Sequence, residues 1–406
     1  MIPPIPIETD PLLFDKLLEP LDPVLRQLDR EPLSQAAEKL KFRLFVRILF
    51  FRLFARIHSA RDLVTDLRCK PEARQLGLPV VALSTLHDAF IRYPVAWFVK
   101  LQRDLMQTLR LLELPEVAAL GQLWCVDSSL WQVATPLAWL ATAGATGVRL
   151  HLAWALNTWT PATFRLSYDR APTQHERQVL RALLQAGVTY ILDRGYLDLQ
   201  LYLDCFVRGA CFIVRERGNL CYHELSLIEP HLPASYSFIA ELRDAVIRLR
   251  RDQSGTILRL VSFRIGVHQF KLLTNRWDLT TAQVILLYAW RWQIELIFRA
   301  WKHTLGALHW INLSEAGIEM QFHILLLASL LWAHLHQTPP PDSSRPETLL
   351  TTADCAASGT RKTITASLSE LFRVRWRWMR QHLRTACNCL AQPVSVFFKE
   401  LVALRL

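Results

Sequence analysis

The chain has 406 residues, of which 51% are hydrophobic and 20% charged, with a formal net charge of +11. That length exceeds one ordinary domain and predicts two or three around a large core, and the apolar content excludes a disordered chain. The positive balance calls for a polyanionic partner, a nucleic acid or an anionic membrane surface.

A membrane span is not expected. The longest apolar run, residues 324–333, is interrupted by Ser329 and falls well short of the ~20 residues a spanning helix needs. Residues 1–10 lack the basic start and apolar centre of a signal peptide. The eight cysteines form no CxxC pair and no Cys/His cluster with zinc spacing, which is the usage of a reduced, intracellular protein.

Residues 1–118 read as helical throughout. A long amphipathic helix is expected from Leu33-Ser34 onward, with Lys39, Lys41, Arg43, Arg47, Arg52 and Arg56 on a basic side. A second helix is expected from a Ser84 cap to just before Pro94. Its place after Gly77-Leu78-Pro79 resembles the second helix of a helix-turn-helix, and a purely structural helix answers the same pattern.

The texture changes near Gly121. Leu123-Trp124-Cys125-Val126 is a short apolar strand ending in Asp127, and residues 147–157 and 162–168 are two further strands. A helix over 173–186 leads to the strand Val188-Thr189-Tyr190-Ile191-Leu192, which ends in Asp193, and a helix over 197–206 follows. Three strands, a helix, a strand and a helix is the order of a ribonuclease H-like α/β core. Both aspartates are expected at strand ends, where open α/β sheets place their chemistry. Two-residue alternation then marks a β-rich insertion at about 211–275.

Residues 288–302 predict one helix with two lines of side chains. Leu287, Trp290, Ile294, Ile297 and Trp301 form an apolar seam at three-four spacing. Beside it Tyr288, Arg291, Glu295 and Lys302 follow at steps of three, four and seven. A phenol, a guanidinium, a carboxylate and an ammonium in line suit a metal-dependent site acting on phosphate. A solvated face with i,i+4 ion pairs fits the same spacing.

Beyond the helix, residues 337–362 form a linker rich in Pro, Ser and Thr, and 363–406 a basic helical segment. From 361 to the end there are nine Lys or Arg against two Glu. The run Phe372-Arg373-Val374-Arg375-Trp376-Arg377-Trp378 either clamps DNA or packs its aromatics inward.

Tyr288, Arg291, Glu295 and Lys302, with the intervening Trp292, Gln293, Ile294, Leu296 and Phe298, resemble the YREK signature of bacterial DDE transposases of insertion-sequence family four. Asp127-Ser128 and Asp193-Arg194-Gly195-Tyr196 resemble that family's two aspartate motifs. The resemblance spans about 120–310. It implies a ribonuclease H-like catalytic domain over 119–336, with helical DNA-binding residues 1–118 ahead of it. In it Asp127, Asp193 and Glu295 are catalytic residues and ligands of Mg²⁺, with Mn²⁺ tolerated. Tyr288, Arg291 and Lys302, joined by Arg299, would hold phosphates of the terminal DNA strand. The implied reaction cuts the ends of a mobile element and joins the freed 3′-hydroxyl to target DNA.

The implied partners are double-stranded DNA, as terminal inverted repeats and target, and a second copy of the chain in a homodimer; the implied location is the bacterial cytoplasm, at the nucleoid. Two other readings remain open. A catalytically silent DNA-binding regulator would be free to lose any of the three carboxylates. A nuclease on the same core would cut without joining, and would not need the accessory Tyr, Arg and Lys.

Overall fold

The computed structural model describes residues 11–31, 40–109, 115–132, 140, 147–168, 176–196, 198–216, 220–232, 237–299, 301–302 and 309–337. Leu33, Ser34 and Lys39 of the first expected helix, the linker beyond Gln337 and the basic segment 363–406 lie outside them. The described residues form two compact units, 11–109 with 301–337, and 115–299.

The first unit is helical: α1 (Pro11–Leu18), α2 (Asp22–Leu28), α3 (Phe42–Phe54), α4 (Ala60–Cys69), α5 (Pro71–Gln75), α6 (Leu83–Arg92) and α7 (Val95–Thr108). Helix α3 is apolar on every side, so it is buried nearly all round rather than at the surface. The expected basic side is split: Lys41 is exposed and Arg43 and Arg56 partly buried, while Arg47 and Arg52 turn inward. Arg47 is buried, bound to Asp15 at 2.6 Å and to the Leu76 carbonyl at 2.9 Å, and Arg52 is buried as well. Rings of Phe42 and Phe45 pack on Tyr93 and Phe98 from α6 and α7. The expected Ser84 cap is displaced: α6 starts at Leu83 after Ala82, which makes no side-chain capping bond. The stop before Pro94 holds, with Tyr93 extended as a residue before proline prefers.

The second unit is built on a nine-stranded sheet. After the short α8 (Pro115–Ala118) come β1 (Gln122–Gln132), β2 (Gly147–Ala155) and β3 (Thr160–Tyr168), then α9 (Glu176–Leu183), β4 (Val188–Leu192), α10 (Leu199–Val207) and β5 (Cys211–Arg215). Strands β6 (Tyr222–Ile228), β7 (Ile239–Leu249), β8 (Ile257–Ile265) and β9 (His268–Thr274) follow, then α11 (Thr281–Trp290) and α12 (Trp292–Arg299). The strand order is β3-β2-β1-β4-β5-β9-β8-β7-β6. Strands β1, β4 and β5 are parallel, and every other neighbouring pair is antiparallel.

The β-rich stretch expected at 211–275 is present, and it extends the same sheet. Strand β5 belongs to the parallel centre, and β9 pairs along its outer side, covering an edge that would otherwise present unpaired backbone groups. A buried polar knot ties these strands to the start of α11. Arg259 on β8 grips Asp244 on β7 at 2.6 and 2.9 Å, Thr281 donates to the same carboxylate at 2.7 Å, and Arg259 donates to the Leu279 carbonyl at 2.5 Å. Thr280 and Gln283 close a reciprocal capping box at that helix end.

The single helix expected over 288–302 is interrupted. Arg291 separates α11 from α12, and its N–H bonds to the Tyr288 carbonyl three residues back, a tightened turn between the two segments. The apolar seam is buried as expected, Leu287, Trp290, Ile294, Ile297 and Trp301 all lying inside.

After α12 the chain returns to the helical unit, where α13 (Glu315–Gln337) is buried along most of its length between α3 and α7. His323 meets Gln102 at 2.9 Å, and the Trp301 indole donates to Ser329 at 3.1 Å. The compact sheet unit ends at Arg299, and the expected domain over 119–336 takes in α13 of the helical unit as well. The reason is α13 itself: a helix apolar all round needs other helices on several sides. No helix among the described residues is long and apolar enough to cross a membrane.

Candidate active site

Backbone register brings the two aspartates together. Strands β1 and β4 run parallel, and their pairing ends at Val126 opposite Leu192, one residue ahead of Asp127 and Asp193 respectively. Neighbouring strands lie about 4.8 Å apart, so the two carboxylates leave adjacent strands side by side. Asp193 follows the last residue of β4, as expected. Asp127 does not end its strand: β1 continues to Gln132, paired with β2 alone, and Asp127 stands opposite Leu152. What ends at Asp127 is the partnership with β4.

The third carboxylate comes from α12, which packs on β1. Arg291, 6% exposed, lies between the carboxylates. Its Nη2 donates to Glu295 Oε1 at 2.8 Å, and its Nη1 stands 3.6 Å from Asp127 Oδ2. The Tyr288 hydroxyl donates to Asp193 Oδ1 at 3.4 Å. Tyr288 and Arg291 therefore face the carboxylates rather than open solvent.

The electrostatics follow from this crowding. Burial pushes Asp127 up to about 7 against the pull of Arg291, and the charges of Glu295 and Asp193 add to the rise. Burial likewise raises Glu295. For Arg291 burial works against the charged form, yet Tyr288, Asp193, Asp127 and Glu295 together outweigh it and hold the guanidinium above its ordinary range. Burial raises the Tyr288 phenol, which stays a donor at neutral pH.

Two further residues were expected to hold phosphate. Arg299 is exposed at the end of α12, and its charge lowers Glu295 only as a minor influence. Lys302 is half-buried and belongs to the helical unit.

The structure adds residues that no motif flagged. Glu176, at the start of α9, accepts from the Ser128 hydroxyl and from Arg149 at 2.8 Å, while the Ser128 N–H donates to Asp127 Oδ1 at 2.8 Å. A chain of hydrogen bonds from β2 and α9 therefore steadies Asp127. A cleft beside Asp193 is lined by Arg194, Arg215, Phe270, Tyr288, Arg291 and Trp292. There the Arg215 guanidinium lies 4.7 Å from the centre of the Phe270 ring. Glu176, Arg149, Arg215 and Phe270 come from separate strands and a helix, and no spacing in the sequence links them to the motif residues.

Carboxylate oxygens are the donors a hard divalent cation takes, and Asp127 and Glu295 both face Arg291. Among the described residues no three carboxylate, histidine or cysteine side chains are drawn close enough to hold a metal ion, and the cation between Asp127 and Glu295 is Arg291.

A protein of Sinorhizobium fredii named as a transposase (y4zB) is 25% identical over 252 residues, 61% of this chain and 69% of that protein. A protein of Geobacillus stearothermophilus, named as the transposase for insertion sequence element IS5377, is 24% identical over 192 residues, 47% of this chain and 50% of that protein. Among solved structures, a piggyBac transposase synaptic complex with hairpin DNA aligns over 98% of this chain and 83% of that one, with 10% identity and a TM-score of 0.41. The model of the Transposase DDE domain family matches residues 119–331, the stretch that contains Asp127, Asp193, Glu295 and the whole sheet. With more than half its length inside that match, the chain belongs to the DDE transposase family.

Proposed function

We propose that this transposase cuts the ends of a mobile element by metal-dependent phosphoryl transfer at Asp127, Asp193 and Glu295, and joins the freed 3′-hydroxyl to target DNA. The observation that supports the reading is that Arg291 faces both Asp127 and Glu295, while Asp193, beside Asp127 on the neighbouring strand, accepts from Tyr288. The strand order β3-β2-β1-β4-β5, antiparallel on one side of β1 and parallel on the other, supports a ribonuclease H-like core. The spacing of Tyr288, Arg291, Glu295 and Lys302 supports a place in insertion-sequence family four.

Asp127, Asp193 and Glu295 would hold Mg²⁺, or Mn²⁺ in its stead. Bound there, they would supply activation of an attacking oxygen and stabilisation of the leaving oxygen in a displacement at phosphorus. The chain's own groups do the rest. Tyr288 orients Asp193 through its hydroxyl, and Ser128 with Glu176 orients Asp127. Arg291 supplies a planar fork of N–H donors to a phosphate at the reacting centre. Arg299 and Lys302 would grip phosphates farther along the terminal strand. The DNA substrate is a terminal inverted repeat, engaged by two copies of the chain, in the bacterial cytoplasm at the nucleoid.

The test is direct. Purified protein, Mg²⁺ and DNA carrying the element's own terminal repeats should yield nicked ends and joined products. Cutting without joining would assign a nuclease instead, and binding without cutting a silent regulator.

A further inference from the structure

Outside the carboxylate site, the helical unit gathers a second group of charges of opposite sign. Arg52 lies in the last turn of α3 and is 5% exposed. It donates to the His309 carbonyl, while its enclosed Nε has no hydrogen-bond partner. Burial pushes its guanidinium down to about 10, and no described carboxylate counters that. The negative end of α3 offsets part of the cost of burying such a cation, but only part.

Just past α3, Arg56 adopts a left-handed backbone with φ of +54°. That conformation is uncommon for a residue with a side chain and is strained. Two residues on, the His58 ring stacks on His309 with centroids 4.1 Å apart and planes at 25°. Both rings are exposed. Burial lowers His58, and so do His309, Arg52 and Arg56, while Asp62 acts the other way. Two imidazoles face to face at the rim of two guanidiniums gather N–H donors at a place that water reaches.

We propose that Arg52, Arg56, His58 and His309 form an anion site that takes a phosphodiester of a DNA backbone. A phosphate oxygen accepts from several donors at once: the imidazole N–H groups at the rim and the Arg56 guanidinium supply them. Arg52 acts from beneath as a charge in a low-dielectric setting, where its field reaches farther than in water. The strained backbone at Arg56 is held where its side chain serves this rim. Free inorganic phosphate shares the chemistry, and only the identity of the anion rests on the transposase reading.

The experiment measures fluorescence anisotropy of the full chain with a labelled duplex, in EDTA, across a series of KCl concentrations. The variant is His58→Gln with His309→Gln and Arg56→Asn, asparagine being tolerant of the left-handed backbone. Its duplex affinity should fall about tenfold, and its log–log salt slope should shrink by about 1. Arg52→Gln should act in the same direction, with circular dichroism and melting curves showing that both variants fold. Equal affinity and slope in folded triple variant and wild type would overturn the site while leaving the transposase reading intact. A melting shift by inorganic phosphate at matched ionic strength that is lost in the variant, with duplex binding unchanged, overturns the DNA assignment in favour of a free-phosphate site. A wild-type chain that binds no duplex overturns both readings. The slope difference without any cleavage in Mg²⁺ supports this site and counts against the carboxylate reading alone.

Discussion

The guanidinium of Arg291 reaches Glu295 one helical turn ahead at 2.8 Å, and from the same buried position it stands 3.6 Å from Asp127 on β1. One side chain thereby joins the helix to the strand at the place where negative charge is densest. Removing it leaves Asp127 and Glu295 facing each other with reduced access to water. Arg291→Leu should destabilise the fold by about 3 kcal/mol, the low end for breaking a buried pair because the carboxylates keep some solvent. Arg291→Lys should recover part of that loss, since it restores the charge without the fork. Urea midpoints measure both, and an unchanged midpoint in Arg291→Leu would show that the pair contributes nothing.

For the carboxylates, shape can be kept while charge is removed. Asp127→Asn, Asp193→Asn and Glu295→Gln should each lower strand cleavage on the order of a thousandfold or more, with duplex affinity within a few-fold of wild type. Gel assays of cleavage and of binding separate the two effects. Normal cutting by any one variant removes that residue from the active site.

Glu176 makes a subtler case, because it touches Asp127 only through Ser128. Glu176→Gln keeps an acceptor for the Ser128 hydroxyl and should retain most cleavage. Glu176→Ala frees Ser128 and should cost about tenfold in single-turnover cleavage rate with little change in Mg²⁺-independent DNA binding. Equal rates in the two variants would dismiss a positioning role.

The knot of Arg259, Asp244 and Thr281 is expected to be structural. Arg259→Met alone leaves a buried carboxylate unanswered and should cost about 3–5 kcal/mol, whereas Arg259→Met with Asp244→Leu should recover much of it. A denaturation cycle over the four proteins reads the coupling, and additive losses would mean the two side chains act independently.

His323 sets a pH dependence in the helical unit. It is 2% exposed, and burial pushes its imidazole down to about 4. An unfolded chain takes up that proton near pH ~6.5, so between 6.5 and 4 the unfolded state binds more protons than the folded one. The stability tied to neutral His323 is full above pH ~6.5 and is lost as pH falls toward about 4, by up to about 3 kcal/mol. Urea midpoints from pH 7 to 5 should fall less steeply in His323→Gln than in wild type. Parallel slopes would place the pH dependence elsewhere.

Much of this protein was legible in the order of its residues. The apolar runs of β1 and β4, the strand end at Asp193, the β-rich stretch after Cys211 and the seam from Leu287 to Trp301 are local patterns, set by runs of apolar residues and by periods of two and of three to four residues. The resemblance of the surrounding motifs made Asp127, Asp193 and Glu295 the candidates for the site. Tertiary structure decided the rest, because it depends on partners distant in the chain. Pairing with β2 carries β1 past Asp127, and the tight turn at Arg291 interrupts an otherwise helical run. The packing of α13 among helices draws the limit of the sheet unit back to Arg299. A basic residue reads the same in sequence whether it faces water or carboxylates. Only the fold turned Arg47 and Arg291 inward to partners and left Arg52 buried without a counter-charge among the described residues, since burial is a property of the neighbours a side chain finds.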